Sequence, residues 1–178
     1  MNGLAKLTAF DKETGDLNVV IESPRGCRNK YTFDEKRGLF YLSGILAAGH
    51  HFPFDFGFIP GTVGGDGDPL DVLLIMDEPA FTGCLVPSRL VGVIEAEQTE
   101  DGKTNRNDRL IAVPANSRAH ERIRSLNDIE DAIVDQMEHF FISYNEAKGK
   151  QFKPIGRWGC RKAMKLVKDA ITKGAKTT

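Results

Sequence analysis

Cysteine is scarce in this chain of 178 residues, which has only Cys27, Cys84 and Cys160. They are odd in number, far apart, and no pair has the spacing of a zinc knuckle or a redox dithiol. A disulfide framework is therefore excluded, and reduced, buried thiols of a cytoplasmic protein are expected. Long apolar runs are missing too. Stretches such as Val72–Met76 fall far short of the about 20 residues needed to cross a bilayer as a helix, which excludes a helical membrane protein. The first residues show no charged region followed by an apolar stretch, so no encoded secretion signal is expected. There is no internal repeat, no low-complexity tract and almost no net charge: 24 Lys/Arg against 25 Asp/Glu leave −1. With 40% hydrophobic and 28% charged residues, the composition is that of one globular domain, 1–178.

The charge that is present is unevenly placed. From Lys148 onward there are ten Lys/Arg and one acid, Asp169, so this segment carries +9 and the remainder −10. A basic tail of that kind suits nucleic acid or an acidic partner. Neither aromatic interleaving nor a nucleic-acid motif accompanies it, so the expectation is a solvated helix face near the chain's own acidic body, with no nucleic-acid partner.

The first two-thirds reads as strand. Leu17–Ser23 is a β-branched run ended by Pro24, and Lys30–Phe33 with Leu39–Leu42 flank a turn and predict a hairpin. Over His51–Pro60, Phe52, Phe54, Phe56 and Phe58 recur at period two, which puts four rings on one face of an extended segment. Asp71–Met76, Arg89–Glu97 and Arg109–Val113 are further strands. The period then changes: Ile129, Ile133, Met137, Phe140, Phe141 and Tyr144 repeat at helical spacing between Asn127 and Gly149. A basic amphipathic helix is predicted over 160–172, and Lys148–Gly159 reads as a connector. Strands followed by helices indicate an α+β domain on a small closed barrel.

Asp66, Asp68 and Asp71 stand within six positions in Gly64-Gly-Asp-Gly-Asp-Pro-Leu-Asp-Val-Leu-Leu74, just before an apolar strand. Carboxylates that close repel one another unless hard cations lie between them. Gly67 permits a sharp bend and Pro69 fixes the turn, so the cluster is rigidly aimed. An EF-hand loop is excluded, because its sixth position must be glycine and is Asp71 here, and because strands, not helices, flank it. A solvated acidic turn is the bland alternative, but the pattern is longer and more specific than such a turn requires.

That pattern resembles the signature of the soluble family I inorganic pyrophosphatases. Val19–Pro24, Asn29–Tyr31, Phe52–Ile59, Leu90–Val93, Arg109–Pro114 and His139–Phe141 with Tyr144 follow in the family's order, over roughly residues 17–150. The resemblance implies a five-stranded OB-like β-barrel with C-terminal helices, located in the cytoplasm and assembled as a homo-oligomer, often a hexamer. It implies Mg²⁺-dependent hydrolysis of inorganic diphosphate to two phosphates by a metal-activated water, a reaction dominated by charge neutralisation and positioning. By the same resemblance Asp66, Asp71 and Glu22 are metal ligands, Asp68 takes the proton of the attacking water, and Lys30, Arg109 and Tyr144 hold phosphate oxygens.

The departures from the family pattern fall at functional positions. Thr32 stands for an acidic residue, Ser43 for a phosphate-binding arginine, Phe52 and Phe56 for tyrosines, and Asn145 for a lysine beside Tyr144. Arg109 takes the place of a lysine. Gln98–Asp108 carries an insertion in which Asn107 replaces a metal-binding aspartate, leaving Asp101 or Asp108 to supply that carboxylate, with Asp101 taken as the ligand. The metal side is thus kept and the substrate side rebuilt. Two other functions stay open: hydrolysis of an organic diphosphate whose apolar part contacts Phe52 and Phe56, or a non-catalytic metal- and phosphate-binding regulatory module.

Overall fold

The protein, described over residues 4–177 by a computed structural model, is built on a ring of five strands. In chain order the elements are β1 (Leu17–Ser23), β2 (Asn29–Asp34), β3 (Leu39–Ile45), β4 (Asp55–Ile59), β5 (Leu70–Leu74), β6 (Leu85–Glu100), β7 (Lys103–Arg106), β8 (Arg109–Pro114), α1 (Asp131–Glu146), β9 (Gln151–Gly159) and α2 (Cys160–Thr177). Hydrogen-bonded neighbours run β1–β4–β5–β8–β6, and β6 returns to β1, which closes the barrel. All of these pairings are antiparallel except β5–β8. Closure removes the open edges that an apolar sheet would otherwise present.

Alternation along the strands builds two cores. One takes residues from every strand of the ring, including Val19, Ile21, Ile59, Val72, Leu74, Val93 and Leu110, and is closed by Ala163 and Val167 of α2. The other lies outside the ring, where Phe52, Phe56, Leu73, Ile94 and Ile111 pack against Val134, Met137 and Phe141 of α1 and Phe152 of β9. Gly57 is required where β4 meets β1: a Cβ there would stand 2.1 Å from the Val20 carbonyl oxygen.

The α+β barrel matches the sequence expectation, and three local readings are corrected. The connector expected after Lys148 is strand β9, because the pairing of β1 with β6 stops at Ser88 and β9 takes up the edge of β6 left open beyond it, over residues 92–99. Its Pro154 is tolerated at a register irregularity opposite Ala96, where the ladder loses a donor least harmfully. The first helix begins at Asp131, preceded by a short 3-10 turn over Leu126–Asp128. The three cysteines are free but only partly buried, because Cys84 and Cys160 pack at the margin of the lumen core. Among the basic C-terminal residues, Lys150 pairs with Glu100, Arg157 with Glu138 and Lys162 with Glu95, so part of the tail's charge is met by the acidic body.

Candidate active site

A cavity of about 530 Å³ opens where β1, β5 and β8 meet the β2–β3 hairpin and the end of α1. It brings together Glu22, Lys30, Asp66, Asp68, Asp71, Arg109 and Tyr144, seven of the eight residues picked out from the sequence. Period-two placement explains why. Phe56 and Leu73 are paired across β4 and β5 and lie under α1; one pleat further, the paired Phe58 and Asp71 come out on the same face, beyond the helix, in the cavity. The core therefore aims Asp71.

The acidic side is held by short-range bonds. Gly67 adopts φ +95°, open to glycine at little cost, and lets the turn double back so that the Gly64 amide donates to the Asp68 carbonyl at 2.7 Å. The Asp68 amide donates to Asp66 Oδ1 at 3.2 Å. Glu22, on the buried strand β1, accepts from the Phe33 amide at 2.9 Å, yet burial pushes its carboxyl up to about 7, with Asp71 adding to the shift. Burial, and then the charge of Asp66, also raises the Asp68 carboxyl. Carboxylates in that condition gain from a hard cation, and an all-oxygen donor set suits Mg²⁺. Among the described residues no three His, Cys, Asp or Glu side chains form a ready-made cage.

The same cavity carries cations and donors. Arg109 is almost fully buried, its guanidinium 4.6 Å above the Phe141 ring and Nη1 2.6 Å from Asp71 Oδ2. Lys30, Lys36, Lys148 and Lys150 complete the basic lining. The ammonium of Lys148 lies 4.3 Å from the centre of the Tyr144 ring and donates to its hydroxyl.

Asp101 is not brought to the cavity. It sits with Gly102 in the two-residue turn between β6 and β7, at φ +50° and exposed, about 10 Å of strand beyond Gln98. Asp108 faces away as well, accepting from the Ala96 amide at 3.0 Å and pairing with Arg106 at 2.9 Å. In their place Gln98 and Asn107 line the wall. Thr32 lines the cavity as expected, whereas Ser43 stays outside and bonds to Thr32 Oγ1 at 2.8 Å. Phe52 and Phe56 are 2% and 4% exposed within the core under α1, so neither touches a ligand in the cavity. The phenylalanine rings that do line it are Phe33 and Phe58, stacked at 5.9 Å.

Lys148, Lys150 and Gln98 escaped the sequence reading. Lys148 had a usable signal, since it lies four residues after Tyr144 at the end of a helical repeat. Asn145 reaches the cavity wall with its Nδ2 tied to the Phe141 carbonyl at 2.8 Å, and its neutral amide brings no charge there.

The family model described as inorganic pyrophosphatase matches residues 19–174. An inorganic pyrophosphatase of Synechocystis is 34% identical over 168 residues, 94% of this chain and 96% of that protein. One from Geobacillus stearothermophilus is 35% identical over 160 residues, 88% of this chain and 93% of that protein. The crystal structure of inorganic pyrophosphatase from Thermus thermophilus superposes with a TM-score of 0.87 at 31% identity, covering 97% of this chain and 98% of that one. The structure from Helicobacter pylori gives 0.84 at 29% identity, with 96% and 99% covered.

Proposed function

We propose, from the premise that this chain belongs to the inorganic pyrophosphatase family, that its cavity hydrolyses inorganic diphosphate to two phosphates with Mg²⁺. The observation that carries this reading is one cavity lined both by the carboxylates Glu22, Asp66, Asp68 and Asp71 and by the cations Lys30, Arg109, Lys148 and Lys150. A small, highly anionic substrate needs both: cations to neutralise it and fixed donors to orient it.

Glu22, Asp66 and Asp71 would hold Mg²⁺. When bound, the ion neutralises phosphoryl oxygens and increases the acidity of water. Asp68, in the same carboxylate cluster of the cavity, would accept the proton of the attacking water. Lys30, Arg109 and Tyr144 orient the phosphates, and Lys148 acts through and beside Tyr144. Arg109 also restrains Asp71, so one guanidinium ties the cations of the site to its carboxylates. The reading extends to a single pyrophosphatase domain over 1–178, acting in the cytoplasm as a homo-oligomer, a hexamer by family resemblance. The exposed apolar residues Leu39, Leu42 and Ile45 on β3 support association, which light scattering of the purified protein measures. Among the described residues no helix is long and apolar enough to cross a membrane.

An organic diphosphate loses its main support with Phe52 and Phe56 buried in the core. Phosphate release with Mg²⁺ should be fastest from inorganic diphosphate when it is compared with nucleotides and sugar diphosphates. Faster release from any organic diphosphate would reverse the assignment, and no release from any of them would favour a binding module.

A further inference from the structure

The cavity wall made by β6 and the segment before β8 differs in kind from the acidic turn opposite. Gln98 and Asn107 line it, and the orientation of their amides is set by Arg109. A guanidinium has donors only, so the Asn107 atom that meets Arg109 Nη1 is Oδ1. Asn107 Nδ2 then faces the other way and donates to Gln98 Oε1 at 2.9 Å. Arg109 cannot swing to release this order, because Asp71 and the Phe141 face hold it. Both amide oxygens are thus engaged, and of the two amide nitrogens Gln98 Nε2 is the one left without a protein partner among the described residues.

The nearby carboxylates do not change that polarity. Asp108 is bound to Arg106 and the Ala96 amide, Glu100 pairs with Lys150 at 2.7 Å, and Asp101 lies in the hairpin turn. A hard cation needs oxygen ligands, and this wall offers N–H groups beside two cations, Arg109 and Lys150. An anion finds donors and positive charge there.

We propose that the Gln98–Asn107 couple is a phosphate-binding wall: Gln98 Nε2 donates to a phosphoryl oxygen of the substrate, and divalent ions are confined to the side of Glu22, Asp66, Asp68 and Asp71. This rests on the reading of the cavity as a diphosphate site. Gln98 is thereby a specificity residue, a direct substrate contact beside Asn107, where the family resemblance expects a metal-binding aspartate.

The test separates anion from cation binding in the full chain without needing turnover. Inorganic phosphate is titrated calorimetrically in saturating Mg²⁺, and bound Mn²⁺ is counted by electron paramagnetic resonance, for the wild-type protein and Gln98→Met. The Met side chain has similar length and no donor, so phosphate affinity should fall about tenfold, the worth of a hydrogen bond to a charged group. The number of Mn²⁺ ions per chain should stay the same. Loss of one Mn²⁺ from the variant, unchanged phosphate affinity, or a wild-type protein that takes up no phosphate would each overturn the proposal. Gln98→Ala removes the same donor without bulk and serves if the Met variant does not fold. Pyrophosphate hydrolysis is assayed separately, and its absence alone would count against the proposed function, not against the wall.

Discussion

The ammonium of Lys148 lies over the ring of Tyr144, 4.3 Å from its centre, and hydrogen-bonds to its hydroxyl at the mouth of the cavity. A cation is thereby delivered from the turn after α1, one helical step beyond Asn145, whose side chain faces inward. Lys148→Met should therefore raise KM for diphosphate about tenfold, as expected for losing a charged partner of the substrate. Tyr144→Phe should cost less, because the ring that positions the ammonium remains. Steady-state kinetics of both single variants and the double variant check this: strictly additive effects would mean that the two residues do not act on one phosphate.

The aspartates of the acidic turn should separate by role. Asp71→Asn removes charge from the metal side and also weakens the hold on Arg109, so Mg²⁺ affinity and hydrolysis should fall together. Asp68→Asn should leave Mg²⁺ binding near the wild-type value while slowing hydrolysis at least about a hundredfold, the usual scale of general-base catalysis. Calorimetry with Mg²⁺ beside a phosphate-release assay distinguishes them. Equal loss of Mg²⁺ in both variants would remove the distinction.

The barrel and the acidic turn were legible in the sequence because both are local patterns. Leu17–Ser23 is a β-branched run, buried along its whole length, and is β1 with those bounds, and the turn residues Gly67 and Pro69 line the cavity. Long-range effects were not legible. Strand β9 contains glycine and proline and exists because β6 offers it an edge. The burial of Phe52 and Phe56 depends on α1, which is distant in sequence. One missed feature was local after all: Asp101-Gly102 is a two-residue hairpin signal, and its turn carries Asp101 away from the cavity.

Contact between β4 and β1 sets a steric limit. Gly57→Ala would bring a Cβ to 2.1 Å from the Val20 carbonyl oxygen, a backbone atom that cannot rotate aside. The substitution should destabilise the protein by about 3 kcal/mol or more, in the range reserved for overpacked cores. Urea denaturation measures it, and a loss below about 1 kcal/mol would mean that the barrel wall yields there.

Asp55 gives a pH dependence separate from catalysis. Its side chain is fully buried at the start of β4; Oδ1 accepts from the Ala80 amide at 3.0 Å and Oδ2 has no partner among the described residues. Burial raises its carboxyl above the ordinary range, with the Ala80 amide and then Arg25 pulling the other way. Between the unfolded and the raised folded value, the native state binds more protons than the unfolded state, so stability falls as pH rises through the folded value. Asp55→Asn lacks this titration. The wild-type protein should therefore compare best with the variant at pH 4, lose ground as pH rises, and hold a constant difference once Asp55 is ionised. Urea midpoints of both proteins between pH 4 and pH 8 provide the measurement. A wild-type protein that gains on the variant with rising pH would show instead that the Ala80 amide and Arg25 outweigh burial, placing the folded carboxyl below its unfolded value.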